Sequence, residues 1–244
     1  MGQIINDDCR AGLTKIPDNS VDFVITDPPF NVGLDYGETT NDRVSDSKYM
    51  EWCYEWINEL YRVLKDGRYA IIFTGDAKMF VVADAIRKTL FMYHHMLKWI
   101  KPNCQRALSG TVFFSKTELA FVLSKNKPDI GTINRRELFS DSITFNNETP
   151  RSGEKQNINH PAQRPVGLYK KIICGFTNVG DMVLDCFSGS GTTAVVCEQT
   201  KRDYIVFEIN KTYCELAERR VREYRTNEPE VVCDGKMVKQ LSMF

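Results

Sequence analysis

Residues 183–194 of the chain, VLDCFSGSGTTA, decide the fold. An apolar strand runs directly into a glycine-rich turn, and the start of a helix follows that turn. This order is typical of a nucleotide-type binding site in an α/β fold. Gly189 and Gly191 allow the backbone to approach a ligand closely and to adopt positive φ. Glu208 ends the next predicted strand, where a carboxylate can accept hydrogen bonds from both hydroxyls of a ribose.

The same letters fit the G-x-G-x-x-A fingerprint of dinucleotide-binding domains, so a dehydrogenase is one alternative at this point. A tight strand–helix turn without a ligand is another. The turn comes after at least five predicted strands, and only one strand, one helix and a tail follow it. A dinucleotide-binding half usually needs further strands after its first βαβ unit. The late position therefore argues against an NAD domain and favours a rearranged strand order.

Apolar runs alternate with amphipathic stretches along most of the chain, which favours a parallel sheet flanked by helices. Residues 124–158 break this pattern and are interpreted as loops or a small inserted module. Asp76 is expected to cap the helix that it begins. The predicted strands cover residues 4–5, 21–26, 69–73, 94–100, 118–123, 182–185 and 204–208. The predicted helices cover residues 47–64, 76–90, 165–176 and 210–224, and one more begins near residue 192.

The composition indicates a chain with a sizeable core: 244 residues, of which 42% are hydrophobic. No apolar run approaches the ~18–20 residues that cross a bilayer, and the N-terminus lacks a secretory pattern. The eight cysteines form no C-x2-C pair and no zinc-ligand pattern with histidine, so we expect a reducing cytoplasm and no metal. The net charge is zero, but residues 98–175 carry a net charge of +7. This block fits a phosphate-facing surface, with an ordinary solvated segment as the alternative.

A second informative block, Asp27-Pro28-Pro29-Phe30, follows the apolar strand VDFVIT. It should lie at the carboxyl edge of the sheet, where ligands bind in open α/β folds. Two prolines make the turn rigid. The carboxylate and the Pro28 carbonyl can accept both N–H protons of an exocyclic amine and stabilise the positive charge that develops during methylation. The aromatic ring can stack on a base flipped out of a duplex. A plain Pro-Pro turn is the alternative.

These blocks resemble the amino-methylating DNA methyltransferases, which modify adenine N6 or cytosine N4, in their circularly permuted β-type order. In that order D-P-P-[FYW] precedes the target-recognition region, and F-x-G-x-G comes last. The resemblance covers most of the chain. Further matching segments are Asp8-Cys9, KWIKPN at 98–103, HPAQRP at 160–165 and YIVFE at 204–208.

The resemblance implies the α/β, Rossmann-like fold of S-adenosylmethionine-dependent methyltransferases, circularly permuted. Its sheet would have seven strands, mainly parallel with one antiparallel, flanked by helices. One catalytic domain would span residues 1–244, with a small target-recognition insertion at residues 125–159. The implied cofactor is S-adenosyl-L-methionine, and the implied target is adenine N6 in double-stranded DNA after base flipping. A homodimer, a cognate restriction nuclease and a location in prokaryotic or virus-infected host cytoplasm are further expectations.

The site residues are carried over by position and fall into three groups. The catalytic group is Asp27, Pro28, Pro29 and Phe30. The cofactor-binding group is Asp8, Cys9, Gln163, Arg164, Asp185, Phe187, Ser188, Gly189, Ser190, Gly191, Thr192 and Glu208. The DNA-binding group is Lys101, Lys125, Lys127, Arg135, Arg136 and Arg151, with Lys155 as a further basic residue. Arg164 could equally be a surface cation at a helix start, and His160 could be purely structural.

Four alternatives differ in chemistry. Cytosine N4 methylation is the nearest, although that group more often has Ser before the two prolines, where this chain has Asp27. Cytosine C5 methylation typically uses a Pro-Cys dipeptide, and the sequence has none. A small-molecule or RNA methyltransferase is a third alternative, and the basic block in the middle of the chain and the recognition-type insertion argue against small molecules. The complete set of chemical residues argues against a catalytically silent DNA-binding module.

Overall fold

The computed structural model describes residues 2–33, 43–103, 116–134, 140–147 and 163–226, and the backbone of residues 232–233 and 236–237. Its centre is one eight-stranded sheet. The strands are β1 (Gly2–Ile5), β2 (Val21–Thr26), β3 (Leu64–Thr74), β4 (Met92–Ile100), β5 (Thr117–Ser124), β6 (Ser142–Thr144), β7 (Met182–Asp185) and β8 (Asp203–Phe207). They lie in the order β1-β8-β7-β2-β3-β5-β4-β6, and within this sheet only β5 runs antiparallel to the others. A separate antiparallel pair joins β9 (Val232–Cys233) and β10 (Lys236–Met237).

Helices cover both faces of the sheet. They are α1 (Cys9–Leu13), α2 (Asp46–Val63), α3 (Met79–Arg87), α4 (Val166–Phe176), α5 (Thr192–Thr200) and α6 (Lys211–Thr226). The first three pack on one face and the last three on the other. All six residues of β2 are buried, as expected for a strand covered on both sides. Among the described helices, none is both long and apolar enough to cross a membrane.

Three local features differ from the sequence-based expectations. The additional eighth strand, β6, has only three residues, too few to show alternation. The helix α1 was missed because five residues cannot show helical periodicity. Asp76 lies inside a 3-10 turn that precedes α3, with Gly75 as the capping position. The predicted Asp76 cap is wrong, since a capping side chain must precede the free N–H groups.

The direction of β5 decides which loops lie at the carboxyl ends of the parallel strands. Leu119 near its start pairs with Thr74 at the end of β3, whereas Ser124 at its end pairs with Tyr69. The chain therefore enters β5 at the carboxyl edge of the sheet and leaves it at the opposite edge. Residues that directly follow Ser124 lie far from the ends of β2 and β7.

A buried carboxylate joins three strands at the edge where they begin. The Asp22 carboxylate pairs with Lys65 (2.8 Å) and Arg68 (3.0 Å) and accepts the Met182 N–H (3.0 Å). Asp22 is 5% exposed, so its charge depends on these partners. The cluster holds β2 against β3 and β7.

We expect Asp22→Asn to lower the free energy of unfolding by about 1–3 kcal/mol, since it removes the charge of a buried carboxylate that pairs with the partly buried Arg68 and the more exposed Lys65. Urea denaturation followed by circular dichroism measures this change. Asp84→Asn is the matched control, because Asp84 forms an exposed ion pair with Arg87 on the surface of α3. Equal, small effects of the two substitutions would contradict the account.

Candidate active site

Two turns meet at the carboxyl edge because β2 and β7 pair as parallel neighbours. The Thr26 hydroxyl, at the end of β2, donates to Asp185 Oδ1 (3.0 Å) and accepts the Cys186 N–H (3.2 Å). These hydrogen bonds place the turn of residues 27–30 beside the glycine-rich turn. The two sequence blocks that carried the resemblance therefore lie together.

Asp185 supports the glycine-rich turn from within the fold. Its carboxylate also accepts the Thr193 hydroxyl (2.5 Å) and the Phe187 N–H (3.0 Å), and the residue is 2% exposed. Burial raises the pKa of Asp185 to about 6, against the lowering effect of its hydrogen bonds. The expected direct contact between Asp185 and the cofactor does not fit this position, because its oxygens face protein donors inside the core.

The backbone of the glycine-rich turn needs its two glycines. Gly189 has φ 51° and Gly191 has φ 82°, both in the left-handed region. A Cβ on Gly191 would lie 2.5 Å from the Ala217 Cβ in α6. The buried Arg220 of α6 donates to the Ser190 carbonyl (2.7 Å) and hydroxyl (3.1 Å). Arg220 was not predicted as a site residue, because its only signal in the sequence was its place on one side of an amphipathic helix.

Glu208 directly follows β8 and faces the same turn. Its Oε2 accepts the Gly189 N–H and its Oε1 accepts the Asn210 N–H, each at 2.8 Å. Burial raises the pKa of Glu208, while these backbone hydrogen bonds oppose the rise. Each carboxylate oxygen has a further lone pair. Among the described residues, the buried Ser188 hydroxyl has no hydrogen-bond partner. These open polar atoms fit a ligand with hydroxyl groups, such as the ribose of S-adenosylmethionine.

The Phe187 ring packs on the aromatic residues of α2. Its centroid lies 5.5 Å from that of Trp52 and 5.3 Å from that of Trp56. The Thr192 hydroxyl donates to the Arg164 carbonyl (3.2 Å), which links the glycine-rich turn to the segment before α4. Gln163, in that segment, is half-buried.

Asp8 and Cys9 lie at the start of α1. Asp8 caps this helix by accepting the Arg10 N–H (2.9 Å) and pairs with the Arg10 guanidinium (2.8 Å). The hydrogen bond from the Arg10 side chain holds the pKa of Asp8 below its usual value, despite partial burial. Cys9 is buried. Their contact with the cofactor stays a prediction.

The Asp27 carboxylate is held by Arg164, which lies just before α4. Arg164 Nε donates to Asp27 Oδ2. Asp27 Oδ1 is buried and has no partner among the described residues. Burial raises the pKa of Asp27, although Arg164 acts to lower it. The Tyr49 hydroxyl donates to the Pro29 carbonyl (2.7 Å) and so fixes the proline turn against α2.

Arg164 is enclosed by aromatic rings. Its guanidinium carbon lies 5.9 Å from the centroid of Phe30, 5.6 Å from Phe73 and 5.3 Å from Trp99. The alternative of a surface cation is wrong, because the side chain is 11% exposed and ion-paired. Arg164 was expected to bind the cofactor, and in the structure its guanidinium pairs with the Asp27 carboxylate.

Glu118 was not predicted as a site residue, yet it contacts Arg164. Its Oε2 accepts Arg164 Nη1, and its Oε1 pairs with Lys101 Nζ at 2.8 Å. Burial alone would raise the pKa of Glu118, but Arg164 and Lys101 outweigh it and lower that pKa. The sequence signal was a single acid at the start of an otherwise apolar strand.

Of the lysines expected to contact DNA, the structure places only some near Asp27. Lys101 and Lys125 are each 7% exposed, and Lys125 donates to Asn19 Oδ1 (2.7 Å) and the Arg62 carbonyl (3.1 Å). Lys127 is exposed but follows β5, at the edge opposite to Asp27. Two of these lysines are buried, and the third lies at the edge of the sheet opposite to Asp27, so the structure gives their expected contact with DNA no support and that contact stays a prediction. The predicted residues Arg135, Arg136, Arg151, Lys155 and His160 lie outside the described residues.

A mainly parallel sheet with an acidic proline turn beside a glycine-rich turn defines a Rossmann-like methyltransferase. The chain belongs to the DNA methylase family N6_N4_Mtase, whose family model matches residues 21–219. Membership confirms the resemblance and makes the protein a DNA methyltransferase with S-adenosylmethionine as methyl donor. The turn residues described above fit that cofactor.

Three known proteins illustrate the likeness. The type II methyltransferase M.HpaI of Haemophilus parainfluenzae is 31% identical, over 90% of this chain and 74% of its own length. The DNA adenine methyltransferase YhdJ of Escherichia coli is 28% identical, over 89% of this chain and 82% of its own. The solved PvuII DNA methyltransferase, described as cytosine-N4-specific, has a TM-score of 0.73 at 20% identity, over 90% of this chain and 86% of its own. The last comparison supports the predicted fold class.

We expect Gly191→Ala to weaken S-adenosylmethionine binding about tenfold or more. A left-handed alanine costs about 1–2 kcal/mol, and contact with Ala217 would also displace the turn. Isothermal titration calorimetry measures the affinity.

Gly180→Ala is the matched control for this substitution. Gly180 also has positive φ (84°), but a Cβ there meets nothing within 4 Å. It should lower stability and leave cofactor affinity unchanged. Equal cofactor affinities in the two variants would show that the turn does not depend on Gly191.

Proposed function

We propose that this DNA methyltransferase methylates the N6 amino group of adenine in double-stranded DNA. The observation that carries the proposal is Asp27 Oδ1, a buried acceptor without a partner among the described residues. It lies at the carboxyl edge, beside the turn that fits the cofactor. A buried open acceptor is costly unless a ligand supplies a donor. An exocyclic amine is such a donor.

Asp27 and the Pro28 carbonyl would each accept one N–H of the target amine. An exocyclic amine is a weak nucleophile because its lone pair is delocalised into the ring. Two acceptors favour a pyramidal nitrogen whose lone pair is available for the new bond. When bound, S-adenosylmethionine supplies an electrophilic methyl group on a positively charged sulfur. The ionised Asp27 would stabilise the positive charge that builds on the nitrogen as the carbon–nitrogen bond forms and the carbon–sulfur bond breaks. The methylated nitrogen would then lose a proton to solvent, after the sulfur has left as a neutral thioether.

Phe30 would form the stacking wall of the base pocket. Its ring packs against Gly75 at the end of β3, where an added Cβ would come within 3.0 Å of the ring. Gly75 therefore limits movement of the ring on that side. Stacking of a base on an aromatic side chain is worth about 1–3 kcal/mol, which offsets part of the few kcal/mol that base flipping costs.

Adenine is proposed over cytosine because an aspartate, not a serine, precedes the two prolines. The similarity to a DNA adenine methyltransferase of Escherichia coli supports this choice. Cytosine N4 is the second candidate, favoured by the fold likeness to a cytosine-N4-specific enzyme. Mass spectrometry of nucleosides from DNA methylated by the protein separates the two. N6-methyladenine supports the proposal, whereas N4-methylcytosine alone would replace it with the second candidate.

We propose that DNA approaches the carboxyl edge and that the later part of residues 125–159 contributes to target recognition. At this edge the Asn103 amide donates to the Asn147 carbonyl (2.9 Å) and accepts the Asn147 N–H (2.8 Å). The bonds tie the end of β4 to the segment after β6. Arg164, after this segment, contacts Asp27. A homodimer and a cognate restriction nuclease stay predictions.

We expect Asp27→Ala to abolish methyl transfer and to leave S-adenosylmethionine binding within about threefold of the wild type. The side chain receives the target amine, whereas the glycine-rich turn holds the cofactor. Transfer from tritiated S-adenosylmethionine to DNA and calorimetric cofactor binding are the two measurements. The control is Asp76→Ala, an exposed acid at the same edge, which should remain active. Parallel loss of cofactor affinity and activity in Asp27→Ala would remove the proposed role.

We expect Glu208→Gln to weaken S-adenosylmethionine binding about 10–100-fold, because it replaces charge-assisted hydrogen bonds to the ribose. The apparent KM for the cofactor measures the effect. Glu215→Gln, an exposed change on α6, should leave this KM unaltered. An unchanged KM in Glu208→Gln would show that the ribose binds elsewhere.

A further inference from the structure

Glu118 is a largely buried acid, with 19% of its side chain exposed, and it has no role in the methyl-transfer chemistry described above. It is the second residue of β5, and both of its oxygens are engaged by cations. Lys101 Nζ lies 2.8 Å from Oε1, and Arg164 Nη1 donates to Oε2. Burying an acid together with two cations is costly compared with an apolar core. This cost favours a function of the cluster beyond stability.

The cluster ends on the catalytic carboxylate. Arg164 bridges Glu118 and Asp27, using Nη1 for one and Nε for the other. The order of charges is Lys101 positive, Glu118 negative, Arg164 positive and Asp27 negative. Arg164 thereby occupies only Oδ2 of Asp27, and Oδ1 is left without a partner among the described residues.

We propose that Glu118, itself held by Lys101, is a positioning residue that restrains Arg164 so that one oxygen of Asp27 stays open for the target amine. This inference rests on the proposed role of Asp27 as the amine acceptor. Glu118 acts through Arg164 and needs no contact with the base.

Guanidinium geometry explains why a restraint is needed. A guanidinium forms its strongest pair with a carboxylate through two parallel N–H···O bonds. An Arg164 that was free to turn would adopt this bidentate pair and would occupy both oxygens of Asp27. Glu118 holds Nη1, and the rings of Phe73 and Trp99 limit rotation of the guanidinium plane.

The charges around Asp27 also predict how the variants respond to pH. The groups that face Asp27 are Arg164, Glu118, Lys101, Asp185 and Tyr169. Asp27 must be ionised to stabilise the charge on the amine, so activity falls as pH drops through its pKa. The negative Glu118 raises the pKa of Asp27 and the positive Lys101 lowers it.

The test compares Glu118→Gln and Lys101→Met with the wild-type protein. Single-turnover transfer from tritiated S-adenosylmethionine to DNA of a methylation-deficient strain is measured across pH. Glu118→Gln should reduce the plateau rate roughly 10–100-fold, the scale of a mispositioned reacting group. It should move the acid limb of the profile to lower pH. Lys101→Met should move that limb to higher pH.

Two further variants separate positioning from folding. Glu118→Asp keeps the charge, so it should hold the acid limb near its wild-type position and recover part of the rate. Asp22→Asn removes a buried, doubly paired acid at the opposite end of β2 and should leave both rate and profile unchanged. Cofactor binding by calorimetry verifies that each variant is folded.

Two results would overturn the inference. One is a wild-type rate in Glu118→Gln. The other is a reduced rate with an unmoved acid limb. A purely structural role of Glu118 would give this result, and so would an acid limb that reports the titration of Asp185 and not of Asp27. If Asp27→Ala is inactive while Glu118→Gln behaves as wild type, the inference fails and the proposed function stands. An active Asp27→Ala would instead remove the proposed function.

Discussion

The hydrogen bonds of Thr26 to Asp185 and Cys186 are the constraint on which the rest of the site depends. They fix the end of β2 against the end of β7, although Thr26 and Asp185 are 159 residues apart in the chain. The turns that follow β2 and β7 have different roles. One presents a carboxylate and an aromatic ring, and the other presents backbone that fits the methyl donor. A shift of either strand by one residue would reverse the direction of its side chains and separate these roles.

The second layer of the site is electrostatic. A low-dielectric interior strengthens each interaction among Asp27, Arg164, Glu118 and Lys101, and it makes each unpaired charge costly. Burial raises the pKa of Asp27, and a cation in contact with it opposes that rise. The aromatic rings of Phe30 and Trp99 lie close to the Arg164 guanidinium, and the Arg164 side chain is 11% exposed. The site thus combines a rigid backbone with a carboxylate whose charge is set by its neighbours.

Much of the fold follows from local sequence patterns, and the remainder follows from the pairing of distant strands. The apolar run of β2 and the glycine-rich turn after β7 are local signals, and both are found in the structure. Alternation indicates a strand but carries no information on its direction. Because β5 is antiparallel, Lys127 lies at the edge of the sheet opposite to Asp27, and the sequence pattern did not indicate this. Glu118 and Arg220 were missed for a related reason, because their partners lie on other elements.

A crystal structure of the wild-type protein with S-adenosylhomocysteine and a DNA duplex containing its target would test the central claim most directly. The account predicts that Asp27 Oδ1 lies about 3 Å from the amino nitrogen of a flipped adenine. The same nitrogen should lie near the sulfur of the cofactor product, in line for transfer. An amine bound by other residues, with Asp27 beyond about 5 Å and still paired only with Arg164, would contradict the account.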